Sequence, residues 1–177
     1  TIGDAMLFLS GGNDRFGRTD DNSSLLDFDP DEQRRKTTIL TSVAPVEWKG
    51  TKINVLDTPG YFDFVGEVHS ALRVGDGAVV VVDATGGIEV GTELVWQYAR
   101  EHKVPRLIIV NKLDRENTNF EAVVAQINEA LNGHATPLYL PVGKDASFKG
   151  LVDVIKGVMI TTGSDGKSTE GPVPADL

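Results

Sequence analysis

Two short polar clusters, each directly after an apolar run, carry the chemistry of this chain. The first is Asp57-Thr58-Pro59-Gly60, which follows Ile53-Asn54-Val55-Leu56. An aspartate at a strand end can hold Mg2+, directly or through water, beside a nucleotide phosphate. The glycine can offer its N–H to a terminal phosphate where a side chain would obstruct the approach. Taken alone, Asp, Pro and Gly are also ordinary turn formers. The second cluster is Asn111-Lys112-Leu113-Asp114, directly after Leu107-Ile108-Ile109-Val110. A carboxylate at Asp114 can accept from both N1–H and N2–H2 of guanine, a donor pair that adenine lacks. The Asn111 amide suits the N7/O6 side, and the Lys112 stem can cover ring and ribose. A site built to pair those edges is left unsatisfied by the wrong base, which gives strong discrimination. Thr38, at the end of a long polar stretch, offers a hydroxyl that can complete a Mg2+ shell when a γ-phosphate is present. By itself it reads as a β-branched residue opening a strand.

Ligands of open α/β sheets bind at the carboxyl ends of strands, so these clusters need strands behind them. Ala78-Val79-Val80-Val81-Val82 and Leu107–Val110 are continuous and rich in β-branched residues. They predict strands buried on both faces of a parallel sheet. Leu138-Tyr139-Leu140 predicts a weaker fourth strand. Ser42 to Trp48, with the turn Lys49-Gly50-Thr51-Lys52, predicts an antiparallel edge hairpin into the Ile53 strand. Helical stripes fill the gaps: Phe64, Val68, Ala71, Leu72 and Gly75; then Leu94, Val95, Tyr98 and Ala99; then Phe120, Val123, Val124, Ile127 and Leu131. Thr118 to Glu121 offers a capping box for the last helix, and Asn132-Gly133 a C-cap. The expected fold is an α/β, doubly wound, mostly parallel sheet with one antiparallel edge hairpin. Residues 11–36 are polar and without periodicity, a long loop. Residues 161–177, rich in Gly, Ser, Thr and Pro, read as a mobile connection or the beginning of a further segment.

The 177 residues, 40% hydrophobic and 24% charged, amount to one ordinary domain. No run of about 18 apolar residues predicts a membrane span, and no N-terminal segment reads as a secretory signal. Cysteine is absent, which excludes disulfides and Cys-ligated zinc and fits a reducing compartment. Seventeen Lys+Arg against 26 Asp+Glu give a net charge of −9. That balance argues against non-specific binding to nucleic acid or anionic membrane. Arg34-Arg35-Lys36 is the one basic run that could meet RNA; its plainer reading is a solvated loop tip. His69, His102 and His134 share no metal-ligand spacing. Trp48 and Trp96 read as packing anchors, and Asp83 as a turn holder. No G-x-G-x-x-G turn follows a strand, which argues against a nicotinamide dehydrogenase.

From Ala5 to about Ile155 the chain resembles the GTPase domain of translational GTPases, most of all elongation factor G and its elongation-factor-G-like relatives. The resemblance rests on Asp29 to Arg35, Thr38-Ile39, Asp57 to Phe64, Val82-Asp83-Ala84 with Gly87-Ile88-Glu89, and Asn111 to Asp114. Phe148-Lys149-Gly150-Leu151-Val152-Asp153 looks like the start of the subdomain that elongation factor G inserts. The resemblance implies a cytoplasmic, monomeric, ribosome-associated GTPase of translation that uses GTP/GDP and Mg2+, with no membrane or DNA partner. It implies GTP binding by Asp57, Thr58, Pro59, Gly60, Tyr61, Asn111, Lys112, Leu113 and Asp114, and metal binding by Thr38 and Asp57. Residues 1–142 would be a partial GTPase domain, with switch segments at about 11–38 and 57–76, and 143–177 the start of the inserted subdomain.

Three features depart from the family's pattern. The phosphate loop G-x-x-x-x-G-K-[ST] is not in the sequence; Thr1 to Phe8 matches the helix that follows it, so the preceding strand and loop are expected upstream. The family's last guanine-contacting Ser-Ala pair is also absent. Tyr61 stands where most translational factors carry the histidine that positions the attacking water. A tyrosine hydroxyl can donate and accept but stays neutral, its pKa being near 10. Tyr61 therefore points to a paralogue branch, with a slow or non-hydrolysing switch or a ribosomal protection factor as alternatives to a translocation-type factor. Residues 1–177 by themselves are expected to bind GTP poorly and to fold marginally.

Overall fold

A computed structural model describes residues 2–132, 134–163 and 167–175. It has five α-helices and eight strands among the described residues, divided between two compact units. Residues 1–78 with 97–105 make one unit, and 79–96 with 106–177 the other.

In the first unit, α1 (Ile2–Leu9) packs on a hairpin of β1 (Ser42–Trp48) and β2 (Thr51–Asp57). The register pairs Ser42 with Asp57 and Trp48 with Thr51, so the expected edge hairpin is present. Lys49 and Gly50 take positive φ, the conformation a tight hairpin turn requires. Ala44 and Val46 point inward from β1 and meet Leu7 and Leu26 in one core cluster. Leu26 comes from the long polar stretch, which is therefore not a bare loop. It contains a short helix, α2 (Pro30–Arg35), started by Asp29 and Glu32 in a reciprocal capping box with proline in the first turn. A sequence window that averages over this stretch sees polarity; the cap and the single buried leucine set its shape. After β2 a 3-10 turn (Phe62–Phe64) leads into α3 (Val65–Val74), which buries Val68 and Ala71.

The second unit is built on β3 (Ala78–Asp83) and β4 (Arg106–Asn111), which pair with each other. Bonds from Ala78 N–H to the Pro105 carbonyl and from Ala84 N–H to the Asn111 carbonyl advance together, so the pair is parallel. Val82 packs with Val123, Ile127 and Leu131 of α5 (Phe120–Ala130) and its end, and with Trp96 of α4 (Val90–Glu101).

Several expectations need correction. β3 and β4 are not buried on both faces: Val80 and Val82 are buried, whereas Val79, Val81 and Leu107 are 48%, 47% and 61% exposed. Helices cover one face of these strands, and the apolar run on its own does not say how many layers do so. The hairpin and the parallel pair are separate two-stranded sheets, not one continuous sheet. Strand β5 (Tyr139–Val142) does not join β3 and β4. It opens an antiparallel sheet in the order β5-β6-β7-β8, with β6 (Gly150–Asp153), β7 (Val158–Thr162) and β8 (Ser168–Gly171). Of the two readings of residues 161–177, the beginning of a further segment agrees better with the pairing of β7 and β8, as in Ile160 with Glu170. Finally, α5 is capped by Asn119, whose side chain accepts from Ala122 N–H, so Thr118 is not the cap. Asn132 takes the left-handed conformation after the helix; Gly133 lies outside the described residues.

Candidate functional site

In the first unit, β2 delivers Asp57 to its carboxyl end. Burial pushes the Asp57 carboxyl above the usual carboxylate range, and the neighbouring Asp27, Asp4 and Glu32 carboxylates add to the rise. Directly opposite in the ladder, Ser42 buries a hydroxyl that has no hydrogen-bond partner. Cross-strand partners share a face, so this hydroxyl and Asp57 face the same side of the hairpin. An acidic pocket with an unsatisfied hydroxyl fits a hard, oxygen-seeking cation. No group of three or more His, Asp or Glu is arranged to hold a metal among the described residues.

Gly60 has open space where a Cβ would stand, with no protein atom within 4 Å. Neither packing nor a positive φ requires glycine there, and the open space leaves the backbone approachable. Tyr61 follows, 62% exposed, at the start of the 3-10 turn.

The polar stretch is drawn in by carboxylates. Asp27 accepts from Thr19 Oγ1 at 2.9 Å and from Thr38 Oγ1 at 2.8 Å. Thr38 therefore donates its hydroxyl proton to Asp27 in this structure, which leaves the oxygen lone pairs to serve a metal. Glu32, fully buried, accepts from the N–H groups of Asp29, Ile39 and Leu40. Asp4 accepts from Ser24 Oγ and Leu25 N–H. Glu67 of α3 accepts from Thr41 N–H at 2.8 Å, which ties this stretch to the helix after Gly60. The basic run is largely engaged within the unit. Arg34 pairs with Asp31, and Lys36 bonds the Asp20 carbonyl and Asn22.

In the second unit, β4 delivers Asn111, Lys112, Leu113 and Asp114 to its carboxyl end. Lys112 holds φ 63, a left-handed conformation that costs a non-glycine residue on the order of 1 kcal/mol. Its Nζ lies 2.6 Å from Asp83 at the end of β3. That ammonium, with the Thr85 hydroxyl and N–H, holds the Asp83 carboxyl far below the usual range. Thr118, buried, donates from Oγ1 to the Leu113 carbonyl and to Asp145. Asp114 is exposed.

The structure thus puts Thr38, Asp57, Thr58, Pro59, Gly60 and Tyr61 in the first unit and Asn111 to Asp114 in the second. Asp83 and Thr118 were not singled out for this site. Asp83 does hold the turn through Thr85, and it also fixes Lys112, a partner 29 residues away that no local pattern reveals. Thr118 braces the loop after β4 instead of capping α5.

Residues 1–169 match the family model described as the elongation factor Tu GTP binding domain. The chain is 40% identical over 176 residues to elongation factor G of Mycoplasma pneumoniae, covering 98% of the chain and 26% of that protein. It is also 40% identical to elongation factor G 2 of Streptomyces coelicolor, again over 26% of its length. A crystal structure of a Thermus thermophilus protein superposes with a TM-score of 0.93 at 34% identity, covering 99% of this chain and 26% of that one. The chain therefore spans about a quarter of the length of the relatives it matches.

Proposed function

The chain belongs to the elongation factor Tu GTP-binding-domain family, and on that premise we propose that it is the nucleotide-handling segment of a GTP-hydrolysing translation factor. The observation that carries this reading is Asn111 to Asp114 at the end of a parallel strand, with Lys112 held in a strained conformation and clamped by Asp83. Such strain persists where the surroundings over-determine it, and functional sites are where it collects. Asp114 would accept from the guanine N1–H and N2–H2, Asn111 would meet N7/O6, and Lys112 would cover the ring and ribose. Asp57 would hold Mg2+, and Thr38 would join it through its hydroxyl oxygen. A bound Mg2+ supplies neutralisation of charge on the transferring phosphoryl group. Thr58, Pro59 and Gly60 would leave backbone room beside the terminal phosphate, with the Gly60 N–H as donor. Tyr61 would neighbour the attacking water as a neutral donor and acceptor. In this reaction type catalysis is positioning and charge stabilisation, so ordering of residues 11–38 and 57–76 by a partner can switch the rate.

The relatives named elongation factor G make the ribosome the partner to test. Residues 143–177 would open the inserted subdomain, a reading supported by the antiparallel pairing of β5 to β8. A slower switch is the second reading, and Tyr61 in the place of the family's histidine favours it. Single-turnover phosphate release by the intact protein, with and without ribosomes, separates the two. Ribosome-stimulated release supports the translation GTPase, and nucleotide binding without stimulated release supports the switch.

A further inference from the structure

Away from both clusters, α3 and the end of α4 bring two histidines together. His69 Nδ1 and His102 Nε2 are 3.3 Å apart. The Tyr98 ring packs on His69 with centroids 4.2 Å apart, and all three residues belong to the first unit. His102 directly follows α4, where its N–H bonds back to the Tyr98 carbonyl, so its backbone is held in place.

The spacing is informative. Without metal, one ring nitrogen can donate a proton to the other across this distance. Two imidazole nitrogens on one tetrahedral metal, each at about 2.0–2.1 Å from it, stand about 3.3–3.4 Å apart. The observed separation also matches the edge of a tetrahedral two-histidine site, so a metal can take the place of the shared proton without moving the rings. The pair is also exposed, so water can supply the remaining ligands. Tyr98 restrains the His69 ring, the kind of support that fixes a ligand's orientation.

We infer that His69 and His102 form a surface clamp for a borderline transition-metal dication such as Zn2+ or Ni2+. Binding needs a lone pair at each facing nitrogen. The imidazole that carries a proton between them shifts it to its own other nitrogen, so the neutral pair binds metal with no net proton release. Hard cations are excluded, because Mg2+ and Ca2+ seek oxygen. The order expected is Cu2+ above Ni2+ above Co2+. Because His69 is on α3, a filled clamp would also restrain the helix that follows Gly60 and Tyr61.

Calorimetric titration of Ni2+ into the chain, with imidazole groups neutral, tests the inference. One saturable site is expected. Losing a ligand should cost at least the about tenfold that losing an outer-shell partner costs. His69→Gln and His102→Gln should each weaken binding by that much, and His134→Gln should leave it unchanged. NMR of the unsubstituted chain gives a second reading that needs no variant. Paramagnetic Ni2+ should broaden the imidazole signals of His69 and His102 before those of His134. Absence of a saturable site, binding that survives both clamp substitutions, or simultaneous broadening of all three histidines would overturn the inference.

Discussion

At Asp83 one carboxylate closes a turn through Thr85 and clamps Lys112 at 2.6 Å. Its lowered pKa means that this contribution to stability is complete above the ordinary carboxylate range. It is lost only as pH falls through the lowered value. Asp83→Asn should cost under about 1 kcal/mol at neutral pH, because the pair is solvent-exposed. Urea denaturation should show the variant and the parent converging in strong acid. The same variant should weaken guanine-nucleotide binding by freeing the Lys112 stem. Asp57 has the opposite sign. Burial and its acidic neighbours make its ionised form unfavourable in the folded chain, so its contribution worsens as pH rises through its raised pKa. Asp57→Asn should therefore raise the thermal midpoint in chelator at neutral pH and abolish any midpoint rise caused by Mg2+. Loss of stability in chelator would contradict this electrostatic account. The residue types at Asp57 and Asn111 to Asp114 were legible because their chemistry is local to a strand end. The clamp from Asp83 was not, because it depends on β3 lying beside β4.

Among the elements, α2 shows why a polar stretch can be ordered without periodicity. Glu32 satisfies three backbone N–H groups from a fully buried position. Glu32→Ala should cost about 2–3 kcal/mol, the range for hydrogen bonds to a charged group. Cleavage after Arg34 and Arg35 by trypsin should accelerate in parallel, and unchanged cleavage would show that Glu32 does not hold this stretch. On α5 the apolar stripe was legible from its spacing, and Val123 and Ile127 are buried as that stripe requires. Ile127→Ala should cost about 2–5 kcal/mol by leaving a cavity against Val82; equilibrium denaturation measures it. Strands β2, β3 and β4 were legible because β-branched runs end at turn formers. The β7–β8 hairpin was not, because Ser168–Gly171 carries no apolar residue and is a strand only through its ladder to β7.

Over the whole molecule, a net charge of −9 sits with an acidic pocket around Asp57 and a basic run mostly engaged by its own loop. RNA contact from this segment would therefore depend on a small surface, and added salt should affect nucleotide binding less than ribosome binding. Fold class was legible from the alternation of strands and helices. The division into a hairpin, a parallel pair and a separate antiparallel sheet was not, because strand partners far apart in sequence leave no local mark. The central claim is that Asn111 to Asp114 read guanine. Its most direct test is competition on the intact protein: displacement of a fluorescent guanine nucleotide by GDP against ADP, for the parent and Asp114→Ala. The account predicts that GDP competes at least about a hundredfold better than ADP in the parent and loses most of that advantage in the variant. Equal competition by the two nucleotides in the parent, or an undiminished preference in Asp114→Ala, would contradict it.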